Sequence, residues 1–189
     1  MVRCTWDRAA IQAAEQTAHP SAVRAGGRVL SSNRCTQIVE EPIFNGIDNK
    51  EQATRVVRYM RYPQQKTSKY QQPPGLRGFS PGNAIFAWGI SEAEYERRAD
   101  VWPLNPEGDL LAIPMIETAD GLKNVNDIAT TPGIGAIFIG AGSDLRQWLG
   151  VPVASPEVEE ARQTILKACL SHNVPCGITA CRHRPSWSR

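Results

Sequence analysis

Short apolar runs alternate with helix-like stripes along most of this 189-residue chain, and this alternation restricts the folds that it can adopt. The runs are predicted strands, because each is short and rich in β-forming or apolar side chains: 37–44, 109–116, 136–139 and 176–179. The stripes are predicted helices, because their apolar residues lie three and four positions apart: 48–60, 118–129 and 155–173. Strictly alternating strands and helices favour an α/β fold with a parallel sheet and crossover helices.

Composition narrows the classes of function. Hydrophobic residues make up 41% and charged residues 21% of the chain, the balance of an ordinary globular domain. The formal net charge is only +2 and the basic residues do not gather on one face, so no nucleic acid partner is expected. No apolar run approaches the roughly 20 residues that cross a bilayer, so no membrane partner is expected either. The start lacks the apolar centre of a secretory signal, and a cytoplasmic location follows as the expectation.

The cysteines can be interpreted in two ways, as free thiols or as zinc ligands. Five cysteines, an odd number, in a chain long enough to build its own core favour free thiols in a reducing compartment. The alternative is a zinc site formed by His172, Cys176, Cys181 and His183, which are residue types that zinc binds. Their spacing matches no standard zinc finger.

Two acidic residues directly follow predicted strands. Glu117 comes after 109–116, and Asp144 comes after 136–139 and a glycine-rich turn. Because the carboxyl ends of neighbouring parallel strands meet at one rim, these carboxylates are expected to lie close together and to suit Mg²⁺ or Mn²⁺. The glycine-rich turn at 140–143 can also point successive backbone N–H groups toward an anion. The alternative is that both acids only cap the helices that follow them.

Four ordered motifs carry a resemblance. They are RYP at 61–63 with GLRG at 75–78, PMIET at 114–118, PGI at 132–134 and FIGAGSDL at 138–145. Together they are similar to the HpcH/HpaI aldolase and citrate lyase-like family of metal-dependent carbon–carbon lyases, over residues 37–180. The family fold is a (β/α)₈ barrel, so the resemblance implies a partial barrel of about four parallel strands.

The resemblance also implies a chemistry. Glu117 and Asp144 match the residues that hold a divalent metal, and the backbone at Gly142 and Ser143 matches the turn that receives the carboxylate of pyruvate or a related 2-oxo acid. The metal then stabilises the enolate formed when a 4-hydroxy-2-oxo acid is cleaved to that oxo acid and an aldehyde. Arg77, in the long Pro- and Gly-rich segment 62–83, is the candidate catalytic residue at the mouth of the pocket.

The chain departs from this family pattern in length and in the turn. A full barrel typically takes about 250 residues. The motifs match the fourth through seventh strands, without the segments that bring the catalytic histidine and a substrate-binding arginine. One residue is inserted relative to the commoner Gly-Pro-Ala-Asp turn. We therefore expect a member truncated at both ends, with a poorly defined segment at 1–36, a partial barrel domain at 37–180 and a basic irregular tail at 181–189.

Two functions follow from these expectations. One is an active lyase that takes a small-molecule 2-oxo acid. The other is an inactive homologue that keeps the metal and 2-oxo acid half-site or serves only as a binding scaffold. An open sheet of about four strands leaves its edges uncovered, so we expect either a homo-oligomer or a cover formed by the N-terminal segment.

Overall fold

A computed structural model describes residues 4–6 and 43–179. The predicted segments at 1–36, apart from 4–6, and at 181–189 lie outside these residues. The strands are β1 (Cys4–Trp6), β2 (Ile43–Phe44), β3 (Val101–Trp102), β4 (Leu110–Leu111), β5 (Ile113–Ile116), β6 (Ile137–Ile139) and β7 (Cys176–Thr179). The helices are α1 (Lys50–Met60), α2 (Gly82–Trp88), α3 (Glu92–Arg98), α4 (Ala119–Lys123), α5 (Val125–Ala129), α6 (Arg146–Leu149) and α7 (Pro156–Ser171), and a π-helical turn at Ala141–Leu145 leads directly into α6.

The main sheet has the strand order β1-β7-β6-β5-β2. Its strands β2, β5, β6 and β7 are parallel neighbours, which confirms the α/β class and the partial barrel of about four parallel strands. β1 runs antiparallel to β7. The strands β3 and β4 form a separate parallel pair, which the sequence pattern did not predict.

The helices begin where the sequence supplies caps. The Asn49 side chain accepts a hydrogen bond from the Gln52 N–H at 2.9 Å, and Ser155 caps α7 in the same way. The predicted helix at 118–129 is wrong as a single element. It is divided into α4 and α5 at Asn124, whose backbone leaves the helical conformation and whose side chain bonds the Asp48 carbonyl at 2.8 Å.

The core lies between the sheet and its helices. The largest cluster joins the buried faces of α1, α5 and α7 to strand residues such as Ile116, Ile137 and Ile139. A smaller cluster on the other face of the sheet contains Leu111, Ile113, Ala136 and Phe138. Alternate strand residues therefore pack on both faces, as expected for a parallel sheet covered on both sides.

The long irregular segment after α1 is anchored by a buried arginine. Arg61 has no exposed surface, and its guanidinium binds both carboxylate oxygens of Asp100, at 2.6 and 3.0 Å. The same side chain donates to the carbonyls of Tyr70 and Pro73, at 2.7 and 2.6 Å. One side chain thus ties the segment to the residue that precedes β3.

Two cysteines correct a sequence-based expectation. Cys169 and Cys176 form a disulfide with a Cα–Cα distance of 6.3 Å, so free thiols are wrong for this pair. The reason is local: the turn after α7 brings β7 back beside the last turns of the helix, and residues seven positions apart meet in the core. The predicted zinc site loses Cys176 to this bond, while Cys181 and His183 lie outside the described residues. None of the described helices combines the length and apolar character needed to cross a membrane.

Candidate active site

The register of β5 and β6 brings the ends of these strands together. Ile116 pairs with Ile139, and the Gly140 N–H donates to the Ile116 carbonyl at 2.8 Å. Glu117 and Gly140 therefore lie side by side at the carboxyl rim. A Cβ on Gly140 would approach the Glu117 Cβ to 2.7 Å, so only glycine leaves room for this side chain.

Glu117 is held from a second direction by the loop after β2. The Gly46 N–H donates to Glu117 Oε1 at 2.8 Å, across 71 positions in sequence. Gly46 adopts the left-handed backbone conformation, with φ of +66°, which glycine adopts without a steric cost. Glu117 is only 6% exposed. The carboxylate is thus fixed between the ends of three strands, β2, β5 and β6.

The electrostatics of Glu117 show which groups face it. Burial raises its pKa, and the charge of Asp144, a hydrogen bond with the Asp144 carboxyl group and the charge of Asp48 raise it further, while the Gly46 N–H opposes the shift. Asp144 is therefore near enough to Glu117 for the two carboxyl groups to interact. In the described part of the chain, no lysine, arginine or histidine forms an ion pair with Glu117 or Asp144.

Asp144 lies on the π-helical turn at Ala141–Leu145. A π turn closes its hydrogen bonds between residues five apart, so it holds one residue more than an α-helical ring. A turn of this kind is consistent with the expected insertion of one residue in this segment, which stays a prediction. Ala141 and Leu145, at the two ends of the turn, are buried in the core, which fixes the turn at both ends.

Asp48, at the start of the predicted helix 48–60, is a third acidic residue near this rim. Its carboxylate accepts a hydrogen bond from the Thr118 hydroxyl, and that hydroxyl in turn accepts from the Gly121 N–H at 3.0 Å. Asn49, not Asp48, caps α1. The rule that selected Glu117, an acid just past a strand end, also points to Asp48, which follows β2.

Arg77 lies at a different place from the carboxylates. Its guanidinium donates to the Tyr95 hydroxyl at 2.7 Å and to the Met60 carbonyl at 3.3 Å, and it stacks on the Tyr62 ring at 3.6 Å. Met60 ends α1, whereas Gly46 precedes it, and an 11-residue helix spans about 16 Å. These contacts place Arg77 at the end of α1 that is far from Gly46, and its role in catalysis stays a prediction.

The donor set of the pair fits a hard divalent cation. Within the described residues, no group of three or more His, Cys, Asp or Glu side chains is arranged to hold a metal ion. Mg²⁺ typically takes one or two carboxylates and completes its shell with water and substrate oxygens, which is what a two-carboxylate rim offers. A cation there would also relieve the repulsion between Glu117 and Asp144.

Comparison with known proteins assigns the chain to a family. The sequence profile described as HpcH/HpaI aldolase/citrate lyase matches residues 35–180. The chain belongs to this family. The 5-keto-4-deoxy-D-glucarate aldolases of Citrobacter koseri and Escherichia coli are each 31% identical to it over 136 residues, which is 71% of this chain and 46% of theirs. This HpcH/HpaI family member therefore spans about half the length of the curated relatives that it matches.

Solved structures of the family agree with the fold. A HpcH/HpaI aldolase/citrate lyase family protein from Burkholderia cenocepacia superposes with a TM-score of 0.60 at 29% identity, covering 75% of this chain and 50% of that one. A HpcH/HpaI aldolase from Desulfitobacterium hafniense has a TM-score of 0.57 at 20% identity, over 85% and 52% of the two chains, and shows the likeness of the fold alone.

Proposed function

We propose that this HpcH/HpaI family member is a metal-dependent carbon–carbon lyase that cleaves a 4-hydroxy-2-oxo acid. The supporting observation is the pair of Glu117 and Asp144, two facing carboxylates at the carboxyl ends of β5 and β6. The curated relatives are aldolases acting on a sugar-derived keto acid, which supports the class of reaction and a small-molecule 2-oxo acid as partner. A cytoplasmic location accompanies the proposal.

The residues divide the work in this proposal. Glu117 and Asp144 hold the divalent ion, Mg²⁺ or Mn²⁺. When bound, the ion supplies Lewis acidity toward the 2-oxo group. The backbone N–H groups at Gly142 and Ser143 bind the substrate carboxylate. Gly46 orients the Glu117 carboxylate through its hydrogen bond to Oε1, and the carboxylate so oriented would take part in holding the ion.

Cleavage also needs a group to accept the 4-hydroxyl proton as the C3–C4 bond breaks. Among the described residues, the histidine is His172, and its Nε2 lies 3.1 Å from Asn126 Oδ1. His172 follows α7 and precedes β7, so it lies at the amino end of the strands, away from Glu117. This observation favours a second candidate function, an inactive homologue that keeps the metal and 2-oxo acid half-site.

Methyl proton exchange of pyruvate tests the proposal. The full chain is incubated with pyruvate in D₂O with Mg²⁺ or Mn²⁺, and loss of the methyl signal is followed by NMR. We expect metal-dependent exchange in the wild type and its loss in Glu117→Gln. Glu51→Gln, which removes an exposed carboxylate on α1, is the matched control and should exchange like the wild type.

The other results separate the two functions. Mn²⁺ binding without exchange supports the inactive half-site. If the wild type shows no Mn²⁺ binding and no exchange, both the lyase and the half-site are ruled out. Exchange that persists in Glu117→Gln would show that the carboxylate pair does not hold the metal.

A further inference from the structure

Arg162 on α7 lies directly behind the turn that carries Asp144. A Cβ on Gly142 would lie 3.3 Å from Arg162 Nη2 and 3.6 Å from Val153 Cγ2. The absence of a side chain at Gly142 therefore makes the space in which the guanidinium packs against the backbone of the turn. An alanine at Gly142 would require the guanidinium to shift by a few tenths of an ångström.

The hydrogen bonding of Arg162 does not explain its position. Its Nε is buried and has no hydrogen-bond partner among the described residues. Its Nη1 makes one long contact, 3.5 Å, to the exposed Glu159 carboxylate. An arginine has five N–H donors, so a side chain selected only to pair with Glu159 would turn toward solvent and satisfy more of them.

The shape of the turn explains what the guanidinium does. The ends of the turn, Ala141 and Leu145, are buried in the core, whereas Gly142 is half-buried and Asp144 is exposed. Arg162 and Val153 are the neighbours that back this middle part at Gly142. Arg162 Nη2 and Val153 Cγ2 are therefore the side-chain atoms that lie against the middle of the turn at Gly142.

We propose that Arg162 is a positioning residue that holds the π turn, so that Asp144 and the backbone of Gly142 and Ser143 face Glu117. The expected effect of Arg162 on metal and oxo acid binding rests on the proposed function. Its effect on the order of the turn can be measured without metal or oxo acid. Outer residues that orient metal ligands typically change metal affinity by about 10–100-fold when they are removed.

The test compares three variants of the full chain. Arg162→Met removes the planar charged group and keeps an unbranched chain, Arg162→Lys restores the charge, and Lys167→Met removes an exposed charge from the same helix as the control. The measurements are amide hydrogen exchange across the turn, Mn²⁺ affinity by electron paramagnetic resonance, and KM and kcat for pyruvate exchange. Arg162→Gln replaces Arg162→Met if that variant does not fold.

We expect Arg162→Met to speed amide exchange in the turn and to weaken Mn²⁺ binding about tenfold, with partial recovery in Arg162→Lys and no effect in Lys167→Met. The KM for pyruvate should rise more than kcat falls. Unchanged turn exchange, or exchange that rises equally over the whole chain, would overturn the inference. If wild type binds no Mn²⁺, the proposed function fails, while exchange in the turn still decides whether Arg162 holds it.

Discussion

Glu117 combines features that a purely structural residue avoids. Its carboxylate is buried, faces Asp144 and has no cationic partner in the described part of the chain. Buried carboxylates are ordinarily paired, because desolvation and like-charge repulsion both disfavour the ionised form. The arrangement is thus unfavourable for the metal-free protein, which is typical of groups kept for binding or catalysis.

Replacement of Glu117 by glutamine should therefore not destabilise the metal-free protein at neutral pH. Since the folded-state pKa of Glu117 is raised, its stabilising effect is present below its ordinary pKa of 4.5 and is lost as the pH rises through the folded value. Glu117→Gln should be about 0.5–2 kcal/mol more stable than wild type at pH 7.5 and equal to it near pH 4. Urea unfolding without divalent metal measures this, and a clear loss of stability at pH 7.5 would contradict it.

Tyr95 gives a prediction at high pH. Burial and the hydrogen bond with the Tyr62 hydroxyl raise the pKa of Tyr95 to about 12, although the charge of Arg77 lowers it. Neutral Tyr95 therefore stabilises the fold below pH 10, and this contribution is lost as the pH rises toward 12. Between pH 9.5 and 11.5, wild type should lose about 1–2 kcal/mol more than Tyr95→Phe. Tyr59→Phe, at an exposed position, is the control in urea unfolding and should behave like wild type.

At the scale of the elements, strands and helix caps could be predicted from the local sequence pattern. The division of a predicted helix and the disulfide could not. The Ser155 cap and the strand at Ile137–Ile139 follow from neighbouring residues alone. The division between α4 and α5 depends on Asn124 reaching Asp48, and the disulfide depends on the turn after α7. Such contacts join residues that are distant in sequence or lie on two sides of a turn, and the hydrophobic periodicity of a single element does not predict them.

The residues at the carboxyl rim of the sheet also divide into those that the sequence predicted and those that it did not. That Glu117 and Asp144 follow strand ends could be predicted from local pattern. That the two strands are neighbours follows the general tendency of consecutive strands joined by a crossover helix to lie side by side. The parts played by Asp48 and Arg162 could not be predicted, since they depend on the loop after β2 and on the face that α7 turns toward the π turn. Whether these residues bind metal or substrate stays a prediction.

The close approach of β5 and β6 should make Gly140 intolerant of any side chain. In Gly140→Ala the new methyl group would contact the Glu117 Cβ at 2.7 Å and the Met115 Cγ at 2.9 Å, so the strands must separate or Glu117 must move. We expect a loss of about 1–3 kcal/mol in urea unfolding together with weaker Mn²⁺ binding. Gly82→Ala, with nothing within 4 Å of its added methyl group, is the control and should be neutral. Equal behaviour of the two variants would contradict the geometry.

At the scale of the whole molecule, Arg61 connects parts of the chain that share no strand pairing. Its removal takes away the positive charge that faces Asp100, although the Val101 N–H and the Asn105 side chain still donate to that carboxylate, and it removes the guanidinium donor of two loop carbonyls. The exposed pair of Arg55 and Glu51 is solvated. Arg61→Met should cost about 3–5 kcal/mol in urea unfolding. Arg55→Met, the control, should cost less than about 0.5 kcal/mol. A small effect at Arg61 would show that the segment is held by other contacts.

The antiparallel pairing of β1 decides how the sheet can be extended. Cys4–Trp6 occupies the outer ladder of β7, so an added parallel strand cannot pair directly with β7. On the opposite flank, the described residues place no neighbour beyond β2. A strand added to the sheet beside β2 would lie close to Gly46, whose N–H donates the hydrogen bond to Glu117. A strand that pairs there would border the proposed metal site.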